Sequence, residues 1–337
     1  TAMGASFQLL PIATRQPLSR KWPANVSFWL FMPGTAILTW GMVEASSLAL
    51  YAGGAAVCGG LLVYTALTAD NLRKAGSAMP IITAHGWGAL VSLILFAALG
   101  LGLIFDFDTG YLANRVSVTA THMVLGVFGF MSLLAFGFSQ ILIPMFVLSR
   151  ALPARLGWLE LALALLSVTM ATAGAILQNN TVIVVAVIAG VGACAAYLLL
   201  MRSAFQTSMR KRLGLSFVVI KLSWIMLVFA LLTGLAVMLG LPVPNGLTLF
   251  GFLLLAGWLL TFVTGILQRI MPFLASMHVV DKRGRSPLLS ELTAERPLMV
   301  HAICHFLALV TCSTGIVLDA PMIVRIGAVF GLLGAVA

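Results

Sequence analysis

The sequence has very little charge. Only 8% of its 337 residues are Asp, Glu, Lys or Arg, whereas 61% are hydrophobic. A soluble protein carries charge on roughly a quarter of its residues, so this composition excludes an ordinary soluble enzyme or binding domain. Apolar runs of about 20 residues indicate membrane-spanning helices, and ten such runs with short connections fill the chain. We therefore expect an all-α, polytopic bundle of about ten transmembrane helices.

Cysteine is also scarce, and all four cysteines fall within apolar runs. A disulfide framework is not expected on this pattern, and small buried side chains are the simpler interpretation. The sequence also lacks a Gly-rich phosphate loop, a paired carboxylate site and a nucleophile with its base. Hydrolase and ATPase functions therefore have no residues on which to rest.

A cleavable signal peptide is not predicted either. Residues 1–22 contain Arg15, Arg20 and Lys21 without a preceding apolar core, so we interpret them as a cytoplasmic N-terminal segment. The remaining residues, 23–337, are predicted to form a single transmembrane domain. Its spans are predicted at 26–43, 47–68, 80–104, 117–148, 156–178, 181–201, 213–240, 246–275, 298–318 and 320–337.

Basic residues fall in alternate connecting segments. They precede the first span and follow the second, fourth, sixth and eighth, whereas the opposite segments carry Glu44, Asp106, Asp108 with Arg115, and Asp319. Because positively charged loops stay in the cytoplasm, we expect both termini on the cytoplasmic side of a bacterial inner membrane. This topology explains the net charge of +10, so nucleic acid is not an expected partner. The basic residues of these cytoplasmic segments are Arg15, Arg20, Lys21, Arg73, Lys74, Arg150, Arg155, Arg202, Arg210, Lys211, Arg212, Lys282, Arg283, Arg285 and Arg296.

The fourth and eighth spans repeat one another. Gly129, Gly137, Gln140 and Pro144 recur at a constant offset as Gly257, Gly265, Gln268 and Pro272. The similar positions of Trp87 and Trp224, and the endings TMATAGAIL and TCSTGIVL, support repeat units of roughly 80–201 and 213–337. A period of four helices makes the two copies parallel, which disfavours transporters built from two inverted five-helix halves.

The parallel four-helix units and segment 121–148 together resemble one known superfamily of membrane proteins. The segment THMVLGVFGFMSLLAFGFSQILIPMFVL is similar to the outer histidine helix of the haem–copper oxidase catalytic subunit and of its relative NnrS. The resemblance implies one or two b-type haems, copper as a second metal, and a membrane oxidoreductase component that acts in electron transfer or on a gas such as nitric oxide.

The chain departs from the oxidase pattern in its histidines. An oxidase of this type needs six, whereas this chain has five, and His278 is predicted in a loop. Phe250 occupies the position that corresponds to His122 in the second repeat. A complete oxygen-reducing centre is therefore not expected, although a fold can be retained without its reaction.

Four histidines lie in or at the ends of predicted spans, where an ionisable group is a candidate for function. We expect His85 and His305 to be the axial haem ligands and His122 to be a ligand or wall of a second haem site. His301 and His305 are one helical turn apart and could chelate copper. Hydrogen-bonded packing histidines are the alternative for each of the four.

Two interpretations stay open for the stripe that follows His122. Gly126, Gly129, Gly137 and Gln140 share its face at 100° per residue. Small residues there either leave room for a flat porphyrin or allow close helix packing. For the other buried charges, we expect a Glu160–Lys221 pair and a snorkelling Arg269, with a haem-propionate contact as the alternative.

Two other functions remain compatible with the sequence. The chain could be a transporter or channel for a small solute or metal that uses its membrane-embedded histidines, or a non-catalytic membrane subunit. The expected partners are the lipid bilayer, a redox protein or quinol, and an oligomer or larger complex.

Overall fold

The computed structural model describes residues 2–14, 16–18, 20–75, 79–210, 213–278 and 291–336. These residues form helices and turns, with no strand among them. Some of the basic residues that support the predicted topology lie outside the described residues. They are Arg15, Lys211, Arg212, Lys282, Arg283 and Arg285. The chain divides into two compact units, residues 1–209 and 210–337.

The described residues of the first unit form eight α-helices and one π-helix. They are α1 (Ala2–Thr14), α2 (Trp22–Val43), α3 (Ser47–Lys74), α4 (Pro80–Thr109), α5 (Arg115–Val124), π1 (Leu125–Ser132), α6 (Leu133–Val147), α7 (Ala154–Leu177) and α8 (Asn180–Gln206). Helices α5, π1 and α6 are continuous and form one kinked span.

The second unit repeats the later part of this order. Its elements are α9 (Leu215–Met238), α10 (Gly246–Phe252), π2 (Leu253–Leu260), α11 (Thr261–His278), α12 (Glu295–Val317) and α13 (Pro321–Val336). Helices α10, π2 and α11 again form one kinked span.

The predicted fold class is confirmed. Nine helices of the described chain are long and apolar enough to cross a membrane, and α13 is a shorter apolar helix of 16 residues. Large apolar side chains such as Trp29 and Leu48 are exposed on these helices, because the solvent of this surface is hydrocarbon. The protein is therefore a multi-pass α-helical membrane protein whose surface contacts lipid.

Helix α1 lies within the segment that the sequence places before the spans. Its residues Ser6, Leu10 and Thr14 recur every fourth position and are buried. Tyr64 of α3 donates a hydrogen bond to Ser6 (3.0 Å), and Thr14 donates one to Asn71 of α3 (2.9 Å). The two contacts follow the same order along both helices, so α1 runs parallel to α3.

Three helical hairpins, α2–α3, α7–α8 and α12–α13, share one local geometry. In the first, the Ser46 N–H donates to the Gly41 carbonyl at 3.0 Å, Ala45 has a φ of 51°, and a Cβ on Gly41 would lie 2.7 Å from the Leu50 nitrogen. The corresponding residues are Gly174, Gln178, Asn179 and Ile183 in the second hairpin and Gly315, Asp319, Ala320 and Val324 in the third. Glycine is needed at the first position because the partner helix passes directly over it.

The two kinked spans also match in register. The π-helices begin at Leu125 and Leu253, and these two residues are separated by the same offset as Gly129 and Gly257 of the sequence repeat. A π-turn leaves a carbonyl without its usual partner, and a serine or threonine hydroxyl further along the helix supplies one in each span. Ser132 donates to the Val127 carbonyl at 2.7 Å, and Thr261 donates to the Ala256 carbonyl at 2.9 Å.

Candidate functional site

His85 lies one to two turns inside the start of α4 and is 1% exposed. Its Nδ1 is 2.9 Å from the Ile81 carbonyl oxygen, and its Nε2 is 3.0 Å from Oε2 of Glu160 on α7. Because a carbonyl only accepts hydrogen bonds, Nδ1 carries a hydrogen. The remaining contact therefore needs one proton, which His85 and Glu160 share.

Glu160 is fully buried and is held from two helices. Its Oε2 accepts a second hydrogen bond, at 2.9 Å, from the Gln140 side-chain nitrogen on α6. Its other oxygen, Oε1, has no hydrogen-bond partner among the described residues. Glu160 is thus bound by His85 and Gln140, whereas the partner expected from the sequence, Lys221, belongs to the second unit.

Glycines make this cluster possible. A Cβ on Gly137 would lie 2.8 Å from the His85 Cβ, and one on Gly157 would lie 2.9 Å from Oε1 of Gln140. The remaining glycines of the stripe also contact α4, since Gly126 faces Phe96 and Gly129 faces Ser92. Side chains of α4 fill the space at these glycines, so of the two open interpretations the structure shows close helix packing.

His122 has a different environment on α5. Its Nδ1 donates to the Phe96 carbonyl at 3.0 Å, and its ring stacks on the Phe96 ring with centroids 4.1 Å apart. Its Nε2 has no hydrogen-bond partner in the part of the chain that the structure describes. A Cβ on Gly100 would lie 3.0 Å from the imidazole Cε1, so this glycine admits the ring.

The half-buried His122 ring lines a cavity of about 430 Å³ between α2, α3, α4 and α5. Arg115, Thr119 and His122 form one polar stripe of α5 along it, and the other walls are mainly apolar. Arg115 is held at 3.1 Å by Asp106, a buried carboxylate that also accepts from the Leu112 backbone at 2.7 Å. The cavity can therefore bind an apolar ligand that contacts Nε2 of His122.

His301 and His305 lie together on α12, as their spacing predicts. The rings are 5.7 Å apart and nearly parallel. His301 donates from Nδ1 to the Gly334 carbonyl at 2.9 Å, and its buried Nε2 has no hydrogen-bond partner among the described residues. Nε2 of His305 is 2.7 Å from the Thr261 hydroxyl. Since Thr261 donates to Ala256, this nitrogen donates to Thr261.

The predicted haem ligands are divided between the two units. His85 and His122 belong to the first unit and His301 and His305 to the second, and the described residues contain no group of three or more His, Cys, Asp or Glu side chains able to hold a metal. The side chain of His278 is outside the described residues. The pairing of His85 with His305 on one haem therefore stays a prediction.

A haem ligand needs one ring nitrogen oriented by a hydrogen bond and the other free for iron. His122 fits this requirement, because the Phe96 carbonyl orients its Nδ1 and its Nε2 has no partner among the described residues. His85 does not fit as it stands, because Ile81 and Glu160 occupy both of its nitrogens. A copper ion on α12 would use Nε2 of His301 and Nδ1 of His305.

Phe250 occupies the position of His122 in the second unit, as the repeat predicts. A Cβ on Gly234 of α9 would lie 2.9 Å from the Phe250 ring, just as Gly100 of α4 faces the His122 ring. The repeat therefore keeps the shape of this position and changes its chemistry.

The fold and these sites define a polytopic helical membrane protein with buried histidines. No protein-family model, curated protein or solved structure matches the chain.

Proposed function

We propose that this protein binds a b-type haem in the cavity between α2 and α5, with His122 as an axial ligand, and acts in electron transfer or in the handling of a diatomic gas. The observation that carries the proposal is the His122 ring, which has one nitrogen fixed by the Phe96 carbonyl. The other nitrogen is without a partner among the described residues and belongs to a ring that lines an apolar cavity of about 430 Å³.

The residues of the cavity would hold and orient the group. The Phe96 carbonyl fixes the tautomer of His122, and the Phe96 ring restrains the plane of the imidazole. The other walls of the cavity are mainly apolar and suit the porphyrin ring. A bound haem would supply one-electron chemistry and an iron atom for a gas ligand.

The repeated architecture supports an oxidase-like fold. The three equivalent hairpins and the two equivalent kinked spans extend the four-helix period beyond the single helix that carries the sequence resemblance. On this proposal the protein lies in a bacterial inner membrane with cytoplasmic termini, and a quinol or a redox protein exchanges electrons with it.

The proposal also assigns a copper ion to His301 and His305. The buried Nε2 of His301 is suited to a metal because it lacks a partner within the described chain. We expect one copper ion per chain in the purified protein, lost in His301→Ala. A metal content that is the same in wild type and His301→Ala would remove copper from the account.

The visible spectrum tests the haem proposal directly. Protein purified from a haem-sufficient host should show the α band of a b-type haem in the reduced state. His122→Ala should remove this band or convert it to a high-spin form, because iron loses a strong ligand. Phe250→Ala is the matched control, since it truncates the equivalent ring of the second unit, and it should leave the spectrum unchanged.

A proton-coupled transporter is the second candidate. The buried His85–Glu160 pair favours it, because ionisable pairs inside membranes are typical of proton relays. A purified wild-type protein without haem or bound metal would make this the better account.

A further inference from the structure

Arg115 is a basic residue on the side of the membrane where basic residues are scarce. The connecting segments that the predicted topology places outside contain no other Lys or Arg. Membrane proteins concentrate basic residues in their cytoplasmic segments, so a lone arginine on the opposite side calls for a specific reason.

A buried carboxylate orients this arginine. Asp106 is 4% exposed, and its side chain accepts hydrogen bonds from Nη1 of Arg115 at 3.1 Å and from the Leu112 N–H at 2.7 Å. A guanidinium group has five N–H donors, and the bond to Asp106 is the only hydrogen bond of this one among the described residues. Several donors of Arg115 are therefore available to a second anion.

The Arg115 side chain lines the same cavity as His122. Among the described residues that line it, Arg115 is the only charged one, and Asp106 is not one of them. Seven positions separate Arg115 from His122, so the two lie about 10 Å apart along one face of α5. A molecule that fills the cavity can therefore contact the imidazole with its apolar part and the guanidinium with one end.

The second unit shows that this polar stripe varies as one set. At the constant offset of the sequence repeat, the three polar residues of the stripe correspond to Val243, Leu247 and Phe250. The segment 235–249, which joins α9 to α10, contains no charged residue either. Arg115, Thr119 and His122 are thus all replaced by apolar residues in the other unit, as expected of residues that serve one ligand.

The chemistry of the stripe selects the class of ligand. Apolar walls favour an apolar body, whereas the planar fork of an arginine matches the two oxygens of a carboxylate. The first turn of a helix also carries partial positive charge, and Arg115 is the first residue of α5. These features together favour an amphipathic acid over a neutral molecule or a cation.

We propose that Arg115, oriented by Asp106, binds a carboxylate of the ligand in this cavity and makes the cavity selective for amphipathic acids. The inference rests on the proposed function, in which the carboxylates are the propionates of the haem. A fatty acid presents the same group. In either case the acidic end of the ligand lies toward the membrane face at which α5 begins.

The surroundings of Arg115 can accommodate a second carboxylate. Asp106 shares its charge between Arg115 and the Leu112 N–H, which reduces its competition for the guanidinium. The Arg115 side chain is 52% exposed, so water screens the repulsion between the two carboxylates. The ligand carboxylate therefore does not have to be fully desolvated when it binds.

Binding of haem and of its dimethyl ester to the haem-free protein tests the proposal. The two probes share the iron porphyrin and differ only in the carboxylates, which the ester masks. Wild type should bind haem about three- to tenfold more tightly than the ester, between the effects of an exposed ion pair and of a hydrogen bond to a charged group. Arg115→Gln should bind both equally, whereas Arg150→Gln, a control at an exposed arginine, should keep the preference.

The outcomes separate this inference from the proposed function. A wild type that binds both probes equally, with spectra that depend on His122, retains the haem and overturns the role of Arg115. A wild type that binds neither probe removes the haem, and nitroxide-labelled palmitate then decides. Palmitate binding that Arg115→Gln weakens would support the acid site, and binding that is absent or unchanged in the variant would overturn it.

Arg115→Lys replaces Arg115→Gln if the latter does not fold. Lysine keeps the charge but lacks the planar fork that pairs with both oxygens of a carboxylate. The preference for haem over its ester should then be smaller than in wild type. An unchanged preference would contradict a direct contact between Arg115 and the carboxylate.

Discussion

His85 and His122 show how the surroundings of a residue decide its chemistry. Both imidazoles donate from Nδ1 to a backbone carbonyl, at 2.9 and 3.0 Å. The difference is at Nε2, which meets Glu160 in one case and has no partner among the described residues in the other. Both nitrogens of His85 are therefore occupied, whereas His122 keeps one nitrogen available to a metal.

His85→Ala should destabilise the protein strongly. The substitution leaves Glu160 buried without its main partner, and removal of one member of a buried charged pair costs about 3–5 kcal/mol. Unfolding of the purified protein in a denaturing detergent, followed by circular dichroism, measures the loss. His85→Ala combined with Glu160→Gln should recover part of it, and a double variant as unstable as the single one would contradict the pairing.

The sequence predicts which ionisable residues are buried but not how they pair. His85, His122 and Glu160 stand out because each interrupts an apolar run. The contact of His85 with Glu160 depends on the register of α4 against α7, which no local pattern encodes. Gln140 could be predicted as a special position from its repeat at Gln268, although its bond to Glu160 could not.

The helical hairpins carry the repeat at the level of secondary structure. Two of the three could be predicted from the endings TMATAGAIL and TCSTGIVL. The first hairpin escapes detection because α2 shares with each ending only the glycine and one other residue, Thr39 with Thr172 and Val43 with Val317. Close backbone approach fixes the glycine and leaves the neighbouring residues free to change.

Gly174→Ala should destabilise the second hairpin. The added Cβ would lie 2.6 Å from the Ile183 Cγ1 and 3.0 Å from its backbone nitrogen, so the two helices must move apart. We expect a loss of about 1–3 kcal/mol, as for overpacked cores, in the same unfolding assay. Gly251→Ala is the matched control, because nothing lies within 4 Å of its Cβ position, and an equal loss there would contradict the explanation.

Ala45→Gly, in the turn of the first hairpin, should not destabilise the protein. Ala45 has a φ of 51°, a left-handed conformation that costs a residue with a side chain roughly 1–2 kcal/mol and glycine almost nothing. The melting temperature should therefore rise or stay unchanged. A clear decrease would show that the turn is not strained at this position.

The number and order of the long helices could be predicted from the hydrophobic runs of the sequence. All ten predicted spans correspond to helices, and their predicted ends differ from those in the structure by less than two helical turns. The π-turns could not be predicted, because an inserted residue in an apolar helix leaves no mark on its composition. Helix α1 was missed as well, since its 13 residues are too few to span a bilayer.

The predicted orientation can be checked by labelling single cysteines at exposed positions. Lys74→Cys and Arg150→Cys should react with a membrane-impermeant thiol reagent only from the cytoplasmic side, and Glu44→Cys and Asn180→Cys only from the opposite side. All four sites are exposed in the structure, and a version without the four native cysteines provides the background. Any reversal of sides would overturn the topology.

The most direct test of the central claim is chemical rescue of His122→Gly. Removal of the imidazole should abolish the low-spin haem spectrum, and free imidazole added to the purified variant should restore it by entering the space beside Gly100 and Phe96. Rescue shows that the ring acts as a ligand, because a packing residue leaves no ligand position to refill. A wild-type spectrum in His122→Gly before any imidazole is added would contradict the account.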